Sequence, residues 1–387
     1  MGFEAPESWR STSLGEVLEL KRGYDLPKRL RLPGDVPIIS SSGTSGWHNE
    51  AKVSGPGVVT GRYGTIGQVF YVDGQFWPLN TALYVRDFKG SDPIFISYFL
   101  KTVRWSKFTD KAAVPGVNRN HVHMESVTVP PLAEQRRIAA VLGALDDKIE
   151  LNRKMNRTLE AMAQALFKSW FIDFDGVPES ELVESALGPI PKGWAVKPLS
   201  NIAVVTMGNS PKGDTYNEQG DGVPLINGPA QYGDFFPVKT KWTTSPTRLS
   251  QSGDLILCVR GSTTGRRVVS DGVYCLGRGV CSIRARSACQ EFARLSVHFA
   301  LSRLLTKTTG SVFPNLSGPS IKSLQVVVPE RLVLDEFSPM IDAIRDRLLA
   351  NVWQSRTLAN LRDTLLPKLI SGEIRVPEAE RTVEAAL

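Results

Sequence analysis

The stretch IAAVLGALDDKIELNRKMNRTLEAMAQAL, residues 138–166, decides how this chain is read. Ile138, Leu142, Leu145, Ile149, Asn152, Asn156, Leu159, Ala163 and Leu166 follow one another at spacings of four and three. That alternation is a heptad seam, the stripe of a helix that packs lengthwise on another helix. The seam returns at residues 337–365 as FSPMIDAIRDRLLANVWQSRTLANLRDTL, where Phe337, Ile341, Ile344, Leu348, Asn351, Ser355, Leu358, Arg362 and Leu365 each stand 199 residues after a counterpart. Some 40 residues of helical period from Leu132 make a helix of roughly 60 Å at 1.5 Å per residue. The average globular helix has only about 11–12 residues. Each seam holds an asparagine near its centre. A buried asparagine there costs stability but fixes register and partner number. Two like helices packed antiparallel about a pseudo-twofold axis bring their midpoints together. Asn152 and Asn351 are therefore expected near that axis, setting the register; the alternative places both at a wet edge of the seam. Two matched helices in one chain satisfy each other, so an intramolecular pair is preferred to a coiled coil between chains.

Working outward, the repeat extends beyond the helices. Pro6 and Trp9 recur as Pro191 and Trp194, and Val36-Pro37-Ile38-Ile39 as Val223-Pro224-Leu225-Ile226. Arg62-Tyr63-Gly64-Thr65-Ile66-Gly67 recurs as Arg260-Gly261-Ser262-Thr263-Thr264-Gly265, and Val129-Pro130 as Val328-Pro329. The offset grows from 185 residues to 199 and then stays constant. Each half thus begins with an indel-tolerant region and ends with one of fixed length. Such internal repetition is read before anything else.

The fold class expected is α+β. Two pseudo-repeated mixed α/β domains, residues 1–130 and 176–328 (the latter with a linker), are joined by long helices at 131–175 and 329–375. Residues 376–387 read as a frayed tail. Within the domains, Val58-Val59-Thr60 and Val69-Phe70-Tyr71-Val72 read as strands, and Asp73-Gly74 as a hairpin turn. Ile94 to Phe108 and Phe292 to Leu305 read as helices. Asp175-Gly176 reads as the stop of the first long helix.

Composition narrows the function. The chain has 387 residues, 42% hydrophobic and 22% charged, room for about two to three domains. No run approaches the ~18 apolar residues of a membrane span. The N-terminus lacks a signal pattern, so a cytoplasmic protein with no membrane partner is expected. A net charge of +7 favours a polyanionic partner. Cys258, Cys275, Cys281 and Cys289 form no C-x-x-C pair, so buried thiols are expected rather than zinc. His121 and His123 would share one face of a strand, and two ligands make no metal site. No phosphate-binding loop, dinucleotide turn, H-E-x-x-H helix or G-x-S-x-G elbow is present. Nor is there an Asn-Pro-Pro-aromatic tetrapeptide of the amino-methyltransferases. No catalytic residue is nominated.

The R-x-x-T-x-G loop lies between two strands in both halves. Its glycines permit tight turning, and its arginine and threonine can face phosphates or base edges. The alternative is a hairpin kept for folding. Residues 21–31, KRGYDLPKRLR, set an aromatic among five basic residues, and Arg260, Arg266, Arg267, Arg278, Arg284 and Arg286 crowd the second half. Such runs are usually solvated surface; recurring in both repeats they read as phosphate clamps. The loops at 117–121 and 315–320 either read bases or simply turn. The candidate DNA contacts are Lys21, Arg22, Tyr24, Lys28, Arg62, Tyr63, Thr65, Asn118, Arg119, Lys212, Arg260, Ser262, Thr263, Arg266, Arg267 and Asn315.

One family carries the same pattern. Pro130-Pro131-Leu132-Ala133-Glu134-Gln135-Arg136-Arg137-Ile138-Ala139, Leu166-Phe167-Lys168-Ser169-Trp170-Phe171 and Leu365-Leu366-Pro367-Lys368-Leu369-Ile370-Ser371-Gly372 resemble the DNA specificity subunit of type I restriction-modification systems. The resemblance covers nearly the whole chain. It implies two target-recognition domains, each reading half of a bipartite asymmetric site, with an antiparallel coiled coil as ruler. It also implies two methyltransferase subunits that bind S-adenosylmethionine, and restriction subunits that use ATP and magnesium. These cofactors are expected on the partners and not on this chain. The second long helix departs from the pattern at Pro329-Glu330-Arg331-Leu332, which lacks the Glu-Gln signature.

Overall fold

The computed structural model of the chain describes residues 6–109, 115–286, 289–306 and 315–387. It divides into two compact units, Met1–Arg153 with Trp353–Leu387, and Lys154–Val352. The unit boundary falls inside each long helix. The reason is that each half-helix packs on a different head.

In the first unit, four antiparallel strands stand in the order Glu19–Arg22, Ala82–Asp87, Gly57–Gly61, Val69–Val72. Neighbouring strand residues point to opposite faces, and Val58 and Val59 are both buried. Val58 joins the cluster of Phe95 and Phe99, while Val59 joins that of Ile39 and Phe76. One face is thus covered by the head helix Pro93–Thr102 and the other by the sheet Gly43–His48, Val36–Ser40, Trp77–Pro78. The Asp92 carboxylate caps the head helix, accepting the Phe95 N–H at 2.9 Å, with Pro93 in its first turn. A third pairing, Arg10–Ser13 with Ser126–Val129, leads straight into the first long helix, Leu132–Lys168. Ile138, Leu142, Leu145 and Ile149 of that helix share one core with Leu358, Leu365 and Leu369 of the second long helix, Arg331–Ser371.

The second unit repeats the four-stranded sheet and the pairing that opens the head, while its smaller sheet gains a strand, Tyr216–Asn217. Its four-stranded sheet runs Ala203–Met207, Val280–Ala285, Leu255–Cys258, Arg267–Val269, and Ala195–Pro198 pairs with Gln325–Val328. Even the parallel pairing recurs, Ile38 with Trp77 in one unit and Leu225 with Cys275 in the other. Its head helix is Gln290–Thr306. Phe167, Phe171, Phe292 and Phe337 form an aromatic core between head helix and long-helix segments, and the Phe171 ring lies 4.8 Å from that of Phe337. The second long helix continues through Pro339 and Pro367, although each proline removes one backbone donor. No helix among the described residues is long and apolar enough to cross a membrane.

Four expectations are corrected. Residues 376–387 are no frayed tail, because Val376–Glu384 is a helix. Val376, Ala379 and Val383 fall on one face of it and join the first unit's core. Asp73-Gly74 closes no hairpin. Phe76 and Val53 exchange backbone bonds at 3.0 and 3.1 Å, and these draw the chain from one sheet to the other. His121 and His123 lie on the short helix Arg119–His123, where residues two apart do not share a face. The first long helix ends at a π turn, Ser169–Asp173, and Phe174 rather than Gly176 takes the first left-handed position at φ 56°. The Phe174 ring, packed edge-on at 5.7 Å from Trp194, holds that conformation.

Candidate nucleic-acid interface

In the first head the R-x-x-T-x-G loop joins the strands Gly57–Gly61 and Val69–Val72, as its glycines indicated. A Cβ on Gly61 would sit 2.0 Å from the Thr65 carbonyl oxygen, so the loop can fold back only over glycine. Gly64 and Gly67 take φ of +72° and +87°. The Arg62 and Tyr63 N–H groups donate to the Thr81 carbonyl at 2.9 and 3.1 Å, and the Val117 N–H donates to the Arg62 carbonyl at 3.0 Å. The guanidinium of Arg62 lies 4.6 Å from the Tyr63 ring centre, a cation–π stack that leaves the edge of the fork available. Together these bonds build a cleft of about 430 Å³ lined by Arg22, Arg62, Tyr63, Asn118, Arg119 and Asn120, among others. No carboxylate lines it among the described residues. Asp25 holds Arg22 from outside the lining, with both oxygens at 3.1 Å.

The second head builds a related cleft from other side chains. Its loop joins Leu255–Cys258 to Arg267–Val269, with Gly261 and Gly265 at φ +79° and +92°. The Leu316 N–H donates to the Val259 carbonyl at 2.9 Å, as Val117 does to Arg62 in the first head. A cleft of about 610 Å³ is lined by Ser210, Tyr216, Asn227, Arg260 and Arg278, among others. Sequence reasoning missed Ser210, Tyr216 and Asn227; it named Arg278 only within the second half's basic cluster and Asn120 only within the loop at 117–121. The signal for Arg278 was the run Gly277-Arg278-Gly279. A Cβ on either glycine would meet Asn227 atoms at 1.9 or 2.1 Å, so the backbone passes close beside it.

The remaining candidates separate. Lys28, Lys212, Ser262, Arg266 and Asn315 are exposed, and Thr65 and Thr263 are half-buried in their loops. Lys21 and Tyr24 turn toward the head's aromatic residues. The Lys21 ammonium is 3.5 Å from the Tyr24 hydroxyl, which pairs with Tyr84 at 3.1 Å. The hydrogen bond with Tyr84 lowers the Tyr24 hydroxyl's pKa, while burial raises that of Tyr84. Asn118 acts as a helix cap, its side-chain oxygen accepting the Asn120 N–H at 3.0 Å. Arg267 turns inward onto His298 of the head helix. Arg284 is held by both oxygens of buried Asp254 at 2.7 and 2.8 Å, and Arg286 donates to the Ser200 carbonyl at 2.9 Å. Cys258, Cys275, Cys281 and Cys289 are buried free thiols, and burial pushes Cys281 up to about 12.

The seam asparagines are buried and bonded across the helices. In the first unit Asn152 donates to Gln354 at 2.9 Å and Ser355 at 3.2 Å. In the second, Asn351 donates to Asn156 at 2.9 Å. Each therefore meets the seam position four residues beyond the other asparagine, and the two pairs are equivalent under the repeat. In the first unit Asp146 accepts from Arg362 and, at 2.6 Å, from Tyr98 of the head helix.

Residues 6–161 and again residues 191–331 match the family described as type I restriction modification DNA specificity domain. The chain is 26% identical over 321 residues to the type I restriction enzyme MjaIX specificity subunit of Methanocaldococcus jannaschii, covering 78% of this chain and 74% of that protein. It is 26% identical over 328 residues to the type I restriction enzyme HindI specificity subunit of Haemophilus influenzae, covering 67% and 71% respectively. Among solved structures, the S subunit of a type I restriction-modification system from M. genitalium shares the fold, with a TM-score of 0.54 at 17% identity over 93% of this chain and 96% of that one.

Proposed function

The chain belongs to the type I restriction modification DNA specificity family, and from that membership we propose that it is the non-catalytic DNA-reading subunit of a type I restriction-modification complex. Each head reads one half of a bipartite asymmetric site. The long helices pair as an intramolecular antiparallel coiled coil, set the unread spacer and dock two methyltransferase subunits, with restriction subunits joining them. S-adenosylmethionine, ATP and magnesium serve the chemistry of those partners.

One observation carries this reading. The same loop, on the same strand pair of two repeated heads, borders a cationic cleft lined in each case by different side chains. Repetition of the backbone gives two equivalent reading positions. Divergence of the lining gives two different half-sites. Phosphate contacts position a protein on DNA and base contacts specify the sequence, and each cleft offers arginine beside neutral hydrogen-bonding groups. A coiled-coil adaptor without DNA contact is the competing reading, and it has no use for either cleft.

The test is binding of duplex DNA by the chain in complex with its methyltransferase subunit, across salt concentrations. Affinity should fall linearly on a log–log plot, with each lost phosphate contact reducing the slope by about 0.9. Arg62→Ala and Arg260→Ala should each weaken binding. Salt-independent binding, or wild-type affinity in both variants, would favour the adaptor.

A further inference from the structure

Arg267 opens the strand that follows the second head's reading loop, but its guanidinium leaves that surface. It donates to Nδ1 of His298 on the helix Gln290–Thr306. A guanidinium stays charged and offers only donors, so a half-buried one needs an acceptor. Imidazole supplies it only when Nδ1 carries no proton. Burial, then the nearby guanidinium groups of Arg267 and Arg294, keep His298 neutral at neutral pH. One turn earlier on the same helix, Arg294 donates to Glu160 of the first long helix at 3.0 and 3.2 Å and to Glu291 at 2.6 Å. Reading-loop strand, head helix and long-helix segment are thus joined in series through Arg267, His298, Arg294 and Glu160.

The first head solves the same problem without charge. At the repeat offset of 198 residues, Val69 stands where Arg267 does. Val69 packs into the apolar cluster that contains Phe95 and Phe99 of its own head helix. An apolar contact in one head has a directional, acceptor-dependent pair as its counterpart in the other.

We propose that His298 is a positioning residue for the second head: by accepting from Arg267 it fixes the start of the strand Arg267–Val269, and with it the loop that presents Arg260 to DNA. The inference rests on the reading of this chain as a DNA specificity subunit.

The test uses the complex with the methyltransferase subunit, acting on duplexes substituted singly in either half-site. The half read by the second head is assigned as the one whose discrimination Arg260→Ala removes. His298→Leu should lower discrimination at that half by about fivefold, the lower end of what one base contact contributes, and leave the other half unchanged. His298→Asn places an oxygen where Nδ1 stands and should restore discrimination. Should His298→Leu fail to fold, Arg267→Ala, which removes the guanidinium instead of stranding it, carries the same expected loss. Wild-type discrimination in the leucine variant, no rescue by asparagine, or equal loss at both halves would overturn the positioning role. A wild-type complex with no preference at either half would instead overturn the DNA-reading function itself.

Discussion

His298 titrates at about 4 in the folded chain, below its ordinary 6.5, because burial and then Arg267 and Arg294 oppose its cation while Glu160 weakly favours it. The folded-state value is depressed, so the unfolded chain takes up the proton first as pH falls. Stability from this group is complete above about pH 6.5 and is lost progressively as pH drops toward 4. Melting midpoints measured between pH 7 and pH 4.5 should therefore decline more steeply for the wild type than for His298→Asn; parallel curves would contradict the assignment. The same residue marks where sequence reading stopped. Six arginines in the second half looked alike as a basic patch, yet Arg284 and Arg286 hold loops, Arg267 turns inward, and Arg260 and Arg278 border a cleft. Spacing cannot tell these fates apart, because the direction of a long side chain is set by acceptors far away in sequence. The Glu-Gln signature has a local explanation too. Glu134 accepts from Trp9 at 3.0 Å and pairs with Arg375 at 3.1 Å, while Gln135 accepts the Asp92 N–H at 2.9 Å and donates to the Pro130 carbonyl at 3.0 Å. The motif ties the start of the long helix to the head it serves.

Among the elements, the long helices were the most legible, since a heptad pattern needs no knowledge of distant neighbours. Every residue of both seams is buried or half-buried. The polar positions in the seams have partners that periodicity alone did not name. Asn152, fully buried, bonds Gln354 and Ser355, and Arg362 bonds Asp146. A buried polar seam residue trades stability for register. Asn152→Leu should keep the melting midpoint within about 5 °C of wild type while broadening the spacer accepted between half-sites; one unchanged spacer length would remove the register role. The closing helix was missed because it is short, follows the turn at Gly372 and has a proline, Pro377, in its first turn. Its apolar spacing, Val376, Ala379, Val383, was nonetheless visible. Val383 is 4% exposed within the first unit's core. Val383→Asp buries an unpaired charge and should cost about 3 kcal/mol or more. Hydrogen exchange should show residues 376–384 losing protection, and wild-type protection there would contradict the docked helix.

For the whole molecule, the repeat is the organising fact. Its offset drifts through the heads and stays fixed along the helices, which matches what each part is asked to do. Heads tolerate insertions because their loops border the clefts and can diverge, whereas a helix seam shifted by one residue loses its stripe. Strand order, the parallel pairing and the loop glycines recur between heads, while cleft linings and the contact beneath each reading strand do not. The fold was therefore readable from the repeat, and the half-sites were not, because a cleft is assembled from segments separated by up to about a hundred residues. The central claim is that two unlike heads read two unlike half-sites. Its most direct test is the adenine methylation left on random-sequence DNA by the chain co-purified with the methyltransferase subunit of its own system. The account predicts two different short blocks separated by a fixed number of unread bases, while a single unbroken block, or no methylation, would contradict it.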